Sequence, residues 1–309
     1  MAGEWIAIIA VLSFVISNVL FRKVEGEASP TFINFVRTFI GTITFLILSL
    51  IFNVFFQIFA LPFGLWVILF ISFIFGQVIG DTAYFQAQKE LGTTNALAVS
   101  MIFPVITFVL SIIFLNDPFD VLVVISLLLI GMGIYIIGKS KDVNKRPISQ
   151  KDAPPNLRLK AIAYAIVAAF GWAVGLIFID FATNEINIIL SSEGLSSVIG
   201  NVIRFPFALM ILFTMVIREN YLTLSSTKKK KTKKTWVFLV IGAIIGTSLG
   251  AYVYTEAARV AGATIMALIA SASPLFSLPL TFFINGERIT KFGFVGVILT
   301  IAGVIIILF

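Results

Sequence analysis

The chain has 309 residues, of which 59% are hydrophobic and 12% charged; its net charge is +7 and its mean hydropathy +1.08. Soluble domains carry about a quarter charged residues, so the composition excludes a water-soluble globular protein and predicts an all-α polytopic membrane protein. Cysteine and histidine are both absent. Their absence excludes thiol chemistry, haem ligation and zinc sites built from histidine or cysteine.

Apolar runs of about 20 residues are long enough to cross a bilayer as helices. In chain order we predict ten spans, at residues 4–21, 31–53, 63–87, 94–115, 119–138, 160–181, 197–218, 235–257, 263–285 and 291–309. The first run lacks a basic leading segment and ends at Arg22-Lys23, so we interpret it as a span rather than a cleaved signal. Polar connections are predicted at 139–159 and 219–234, and a further loop at 182–196.

The sequence contains an internal repeat, because residues 76–137 align with residues 246–307 at a constant offset of 170. The identical pairs include Gly76/Gly246, Gly80/Gly250, Tyr84/Tyr254, Ala87/Ala257, Gly92/Gly262, Thr94/Thr264, Pro104/Pro274 and Leu110/Leu280. Charge sign is kept at Lys89/Arg259 and Asp117/Glu287. We therefore divide the chain into a first five-helix unit (1–138), a basic linker (139–159) and a second five-helix unit (160–309).

Five helices per unit is an odd number, so the second unit enters the membrane from the opposite face. Inverted repeats of this kind are typical of secondary transporters that work by alternating access. The alternative is a duplicated scaffold that moves no substrate. The repeat thus favours a transporter over other classes of membrane protein.

Positive charge is strongly biased between the loops. Of 22 Lys and Arg residues, 19 lie in or beside the loops that follow odd-numbered spans. The positive-inside rule places these loops in the cytoplasm of a plasma-membrane protein and both termini outside. The tract Lys228, Lys229, Lys230 and Lys231 is then either an anchor to anionic lipid head groups or a solvated stop signal.

The duplicated segments from Gly76 to Pro104 and from Gly246 to Pro274 are followed by acidic turns, at 116–118 and 286–290. Each unit also carries a basic residue on its second helix, Arg37 and Arg204. This pattern resembles the EamA-type, ten-helix members of the drug/metabolite transporter (DMT) superfamily over nearly the whole chain. The resemblance implies export of amino acids, other metabolites or toxic compounds, driven by proton exchange or by the solute gradient. Models of that family place both termini in the cytoplasm, opposite to the charge bias here.

Asp81 is the clearest candidate for a functional residue, since an ionisable group inside a span is costly. It shares a helical face with Gln77, Tyr84 and Gln88. This face is either a cavity wall in which Asp81 binds a substrate amine or a proton, or an interhelical contact that only stabilises the bundle. The repeat counterpart of Asp81 is Ala251, and such asymmetry favours a role in specificity.

Matching pairs occur on the second helix of each unit: Asn34 with Arg37, and Asn201 with Arg204. Residues three apart lie on one helix face, so each pair could bind a carboxylate or act as a gate. Alternatively, the arginines snorkel or hold helix ends together.

Other candidates carry weaker signals. Asn18, Trp172, Tyr252 and Tyr254 complete the predicted cavity. Glu256 is expected to pair with Arg259, and Asp180, at the predicted end of the sixth helix, is expected at an interface. Close helix packing is predicted at Gly76, Gly80, Gly246 and Gly250, and mid-helix kinks at Pro104 and Pro274.

The leading hypothesis is a secondary transporter that exports small polar metabolites, amino acids first among them. The alternative is proton-coupled efflux of lipophilic cations or drugs, and Arg37→Ala should impair the former activity while sparing the latter. An intramembrane enzyme is not expected, because histidine, cysteine and paired carboxylates at helical spacing are missing. No cofactor, metal or nucleic-acid partner is expected, and the absence of a G-x-x-x-x-G-K-[ST] loop argues against ATP as the energy source.

Overall fold

The computed structural model describes residues 2–91, 93–140, 155–222, 231–285 and 291–308. Within them the chain forms ten α-helical units, a short 3₁₀ helix (Phe55–Ala60) between the second and third units, and no strand, which confirms the predicted all-α class. The units are α1 (Ala2–Arg22), α2 (Pro30–Ile51), α3 (Phe63–Leu91), α4 (Thr93–Ser100 and Phe103–Phe114), α5 (Val121–Ser140), α6 (Pro155–Leu190), α7 (Leu195–Leu222), α8 (Lys233–Ala261), α9 (Ala263–Ser271 and Ser273–Asn285) and α10 (Lys291–Leu308).

Seven helices among the described residues are long and apolar enough to cross a membrane. They comprise α1, α2, α3, α6, α7, α8 and the segment Ala96–Phe114 of α4. Shorter apolar helices lie at Val121–Gly133 and Phe294–Ile306. Exposed isoleucine, leucine and phenylalanine side chains cover the outside of the bundle, as expected where lipid replaces water.

The predicted loop at 182–196 is wrong over its first nine residues, because α6 continues to Leu190. Polar residues appear here, but Ala182, Thr183 and Ile186 are fully buried at helical spacing. The Thr183 hydroxyl donates to the Ile179 carbonyl at 2.7 Å. An amphipathic pattern therefore extends the helix beyond its purely apolar part. Most of the predicted linker, residues 141–154, lies outside the described residues, as do Lys228, Lys229, Lys230 and the turn 286–290.

Two π-helical segments interrupt the middle of α3 and α8. They span Ile74–Asp81 and Ile244–Leu249, so they begin at positions related by the same offset of 170 that defines the repeat. A π segment shifts the register of side chains along a helix and is frequent at functional sites. The apolar sequence pattern alone does not predict either segment.

The helices α4 and α9 are broken rather than kinked. In α4 two residues separate the first segment from the second, which begins at Phe103, and in α9 one residue separates the first segment from the second, which begins at Ser273. Pro104 and Pro274 are the second residues of these segments. The predicted mid-helix kinks are therefore wrong: each proline lies in a first turn, where its missing N–H group costs no helical hydrogen bond.

The most extensive helix contacts follow one scheme. They join α1–α8 and α3–α6, α1–α9 and α4–α6, α2–α8 and α3–α7, together with α2–α7, α4–α9 and α5–α10. Exchanging α1–α5 for α6–α10 reproduces the same set of pairs. The glycines at the predicted packing positions lie in two matched contacts. Gly76 and Gly80 face Gly175 and Gly171 of α6, and Gly246 and Gly250 face Ser17 and Ser13 of α1.

The connection between α1 and α2 is fixed to neighbouring helix ends by polar contacts. Glu25 forms an ion pair with Arg22 and accepts a 2.6 Å hydrogen bond from Gln88 Nε2 of α3. Glu27 accepts a 2.9 Å bond from the backbone N–H of Thr232, just before α8. The end of α3 and the start of α8 therefore meet the α1–α2 connection at one end of the bundle.

Glu25 should make the stability of the protein depend on pH. Burial raises its pKa, although Arg22 and Gln88 oppose the shift. The folded state then holds this proton more tightly than the unfolded chain, so the contribution of Glu25 to the free energy of unfolding falls as pH rises through the raised pKa. Thermal unfolding is expected to show that the free energy of unfolding of wild type, minus that of Glu25→Gln, decreases from about pH 4 to about pH 8. A difference that grows with pH would contradict this.

Candidate functional site

A cavity lies at the centre of the bundle, and α1–α4 and α6–α9 all contribute to its wall. The cavity has an accessible volume of about 120 Å³, smaller than a site for a drug-sized ligand. The wall is mostly apolar, and its rings come from Phe14, Phe73, Phe103, Trp172 and Tyr254. Few polar groups interrupt this lining.

The acidic residue in the wall is Asp81, at the end of the π segment of α3. Its Oδ2 lies 3.3 Å from Arg37 Nη1 of α2, and its Oδ1 accepts a 2.8 Å hydrogen bond from Trp172 Nε1 of α6. Arg37 Nε also donates to the Thr247 hydroxyl of α8 at 2.8 Å. Asp81 and Arg37 are both buried. The ion pair therefore joins four helices, three of them through side chains that line the cavity.

Arg204 of α7 is the second arginine in the wall. It is 5% exposed, and its guanidinium carbon lies 4.4 Å from the centre of the Phe73 ring. Its Nε and Nη1 atoms are buried without a hydrogen-bond acceptor. In the described part of the chain, no ion pair joins Arg204 to a carboxylate. Arg37 Nη1 also makes no hydrogen bond, so the two arginines differ in charge pairing: Arg37 lies beside Asp81, whereas Arg204 has no carboxylate partner among the described residues.

Asn34 and Asn201 were predicted to act with the arginines on a ligand, and the structure places them elsewhere. The Asn34 amide donates to the Gln77 carbonyl at 2.7 Å and to the Thr82 hydroxyl at 2.9 Å. Asn201 lies 3.3 Å from the Thr255 hydroxyl. Neither asparagine lines the cavity. Each asparagine contacts the third helix of its own unit. The arginine three residues later on the same helix faces a different set of neighbours.

Of the predicted cavity residues, Gln77, Asp81, Trp172 and Tyr254 line this cavity, together with both arginines. The Gln77 amide donates to the Thr38 hydroxyl at 2.9 Å. Asn18, Tyr84, Gln88 and Tyr252 do not line it.

These four residues lie outside the cavity wall. Asn18 is fully buried in α1, one turn past the lining residue Phe14. Tyr84 is fully buried against the rings of Phe14 and Trp172, and Gln88 is held by Glu25 one turn further on. Tyr252 lies at the other end of the bundle, beside Gly194. The predicted polar face of α3 is therefore divided. Gln77 and Asp81 line the cavity, whereas Tyr84 and Gln88 pack against other residues at one end of the bundle.

Polar contacts also tie the end of the bundle opposite Glu25. Glu256 pairs with Arg259 at 2.5 Å, as expected, and accepts a 2.7 Å bond from the Ser197 hydroxyl of α7. Asp180 does not end α6 but lies inside it, where it accepts a 2.7 Å hydrogen bond from the backbone N–H of Ala263, the first residue of α9. A negative side chain at a helix N-terminus is favourable, so Asp180 fixes α9 against α6.

Sequence reasoning missed Thr255 in the cavity wall and Thr247, which accepts a hydrogen bond from the wall residue Arg37. Thr247 occupies the repeat position of Gln77, so the offset of 170 would have identified it. Thr255 corresponds to Phe85, a buried core residue, and the repeat gives no signal for it. The proline inside α7, Pro206, lies two residues after Arg204 and was also not singled out.

An all-α bundle with long apolar helices defines a polytopic membrane protein, and its central cavity with buried charges is a candidate small-molecule site. A sequence model of the EamA-like transporter family matches residues 1–139 and 159–309. The chain belongs to this family.

Individual relatives support the same assignment. The chain is 24% identical over 301 residues to an uncharacterised transporter from Archaeoglobus fulgidus, a match that covers 97% of this chain and 95% of that protein. A crystal structure at 17% identity shares the fold with a TM-score of 0.71, over 99% of this chain and 96% of the other. Family membership and the transporter relative support a transport role rather than catalysis.

Proposed function

We propose that this protein is a secondary transporter that exports small polar metabolites, with amino acids as the leading candidates. The observation that carries the proposal is the set of three buried charges, Arg37, Asp81 and Arg204, in an otherwise apolar cavity between the two five-helix units. Buried charges are expensive inside a membrane protein and mark substrate or ion pathways. A substrate with polar groups and an apolar body matches such a wall.

Alternating access between two inverted repeats is the proposed mechanism. The π segments of α3 and α8 and the breaks of α4 and α9 fall at positions related by the offset of 170, and the helix contacts keep the same pairing when the units are exchanged. These observations support two units of one structure. Because each has five helices, a pseudo-two-fold axis in the membrane plane would relate them and place the cavity at the midplane.

The two ends of the bundle provide candidate gates for this mechanism. At one end Tyr84 packs with Phe14 and Trp172 between the cavity and the contacts of Glu25. At the other end Glu256, Arg259 and Ser197 join α7 to α8. Opening one set of contacts while the other stays closed would expose the cavity to one side of the membrane at a time.

Efflux of lipophilic cations remains the second candidate, and the aromatic wall is the observation that favours it, since rings attract cations. The charges argue against it. Asp81 is already engaged by Arg37 and Trp172, and Arg204 leaves the cavity with a net positive charge. A cationic substrate would meet like charge there.

Orientation and partners remain proposals from the charge pattern. We place the loops after odd-numbered helices in the cytoplasm of a plasma-membrane protein. The lysine tract that ends at Lys231 would contact anionic lipids, and protons are the candidate coupling ion.

Counterflow in proteoliposomes tests the proposed function. Vesicles are preloaded with a pool of unlabelled amino acids, and trace labelled members are added outside. We expect transient accumulation of label above that in protein-free vesicles, because exchange through a carrier needs no other energy source. A parallel assay would measure proton-driven efflux of a cationic dye. Dye efflux without amino-acid counterflow would overturn the leading proposal and favour the second candidate.

A further inference from the structure

The unpaired donors of Arg204 define a binding site inside the central cavity. The side chain lines the cavity, is 5% exposed, and leaves Nε and Nη1 without an acceptor. Buried N–H groups of a guanidinium are normally all hydrogen-bonded. The Phe73 ring at 4.4 Å attracts the positive charge, but its face is a poor substitute for oxygen acceptors. The Arg204 guanidinium therefore lines the cavity with donors that lack an acceptor and, among the described residues, with no carboxylate partner.

The charges of the wall show what kind of ligand this site favours. Asp81 balances Arg37, to which it is bound at 3.3 Å, and its other oxygen is occupied by Trp172. In the part of the chain that the structure describes, the cavity wall then carries one uncompensated charge, that of Arg204. A ligand with one negative charge would neutralise the cavity, whereas a ligand amine would have to displace Arg37 from Asp81.

We infer that Arg204 binds the carboxylate of the transported molecule through its guanidinium, and that the substrate class is small organic monocarboxylates with an apolar body. A carboxylate presents two oxygens that match two guanidinium donors side by side. The rings of Phe73, Phe103 and Trp172 surround the apolar body. An α-amino group is tolerated but not required. This inference rests on the proposed function and narrows it, since amino acids become one case of a broader class.

Three probes that share a phenyl ring separate the contributions of the two polar groups: phenylalanine, 3-phenyllactate and 2-phenylethylamine. Binding is measured on detergent-purified protein by thermal stabilisation, and transport by counterflow of the labelled compounds in proteoliposomes. We expect phenylalanine and 3-phenyllactate to stabilise the protein and to be exchanged with affinities within about tenfold of each other. 2-Phenylethylamine should do neither.

Substitution of Arg204 tests the residue itself. Arg204→Gln removes the charge, and Arg204→Lys keeps the charge but lacks the two-donor fork. Both are expected to weaken binding of 3-phenyllactate at least about tenfold, the range of one charge-assisted hydrogen bond. Arg218→Gln changes an exposed arginine on the same helix and should leave binding unchanged. Unfolding temperature without ligand checks that each variant folds; if Arg204→Gln does not, Arg204→Lys decides.

Several results would overturn the inference. They are unaltered affinity for 3-phenyllactate in a folded Arg204 variant, transport of 2-phenylethylamine but of neither carboxylate, and failure of both carboxylates to bind or exchange. The proposed function survives any of these if another metabolite from the amino-acid pool shows counterflow. Loss of all counterflow would instead reject the proposed function as well.

Discussion

Asp81→Asn is expected to abolish counterflow and to lower the free energy of unfolding by about 3–5 kcal/mol, the cost of breaking a buried ion pair from one side. The asparagine can still accept the hydrogen bond from Trp172 Nε1, so the loss would come from charge. Without Asp81, Arg37 and Arg204 leave two positive charges in an apolar cavity. Thermal or denaturant unfolding in detergent, alongside transport in proteoliposomes, measures both effects.

The double variant Arg37→Gln, Asp81→Asn is the matched control for this prediction. The double variant removes both charges of the ion pair, so the net charge of the cavity is the same as in wild type. It should therefore recover a large part of the stability lost in Asp81→Asn. It should not restore transport if the pair is part of the pathway. Equal instability of the single and double variants would show that Asp81 stabilises the bundle by contacts other than its pairing with Arg37.

Gly175→Ala is expected to lower the free energy of unfolding by about 1–3 kcal/mol, in the range of overpacking in a tight interior. A methyl group at Gly175 would lie 2.9 Å from Gly76 Cα and 2.9 Å from the Ser72 carbonyl oxygen. Both are backbone atoms, so no side chain can move aside, and α3 would have to separate from α6. Unfolding temperature in detergent is the measurement, and transport should fall because α3 carries Asp81.

Gly131→Ala is the control, because it also replaces a glycine inside a helix with alanine. Gly131 is an exposed residue of α5, and an added methyl group meets no atom within 4 Å. Alanine is favoured over glycine in helices by about 1 kcal/mol, so this variant should be neutral or more stable. If Gly175→Ala and Gly131→Ala had the same effect, close approach of α3 and α6 would not be what stabilises this contact.

Much of the fold could be predicted because membrane helices depend on local sequence. Long apolar runs have to satisfy their backbone hydrogen bonds internally, so the all-α class and the approximate spans follow from composition and run length. Errors occurred where helices depend on packing. The last turns of α6 are polar enough to be predicted as a loop from hydropathy. They are helical in the structure because Thr183 and Ile186 are buried against neighbouring helices. The breaks near Pro104 and Pro274 depend on how the two segments of α4 and of α9 pack.

The candidate site was predictable only in part. Asp81, Arg37 and Arg204 stood out because ionisable residues are rare and costly in spans. Their partners did not, since Thr247 lies 210 residues from Arg37 and no local pattern joins them. Gln88 shares the expected helical spacing with Asp81, but the π segment and the buried ring of Tyr84 separate it from the cavity.

The sequence by itself determined the protein class, the internal repeat and the charged residues inside the membrane, because each depends on residue type and spacing along one chain. Only the tertiary structure decided that Arg37 is neutralised by Asp81 while Arg204 has no carboxylate partner among the described residues. That difference arises because helices from both units meet at one cavity and bring each arginine next to different neighbours. The two arginines occupy matching positions in the repeat, and their distinct surroundings distinguish a structural pair from a candidate binding site.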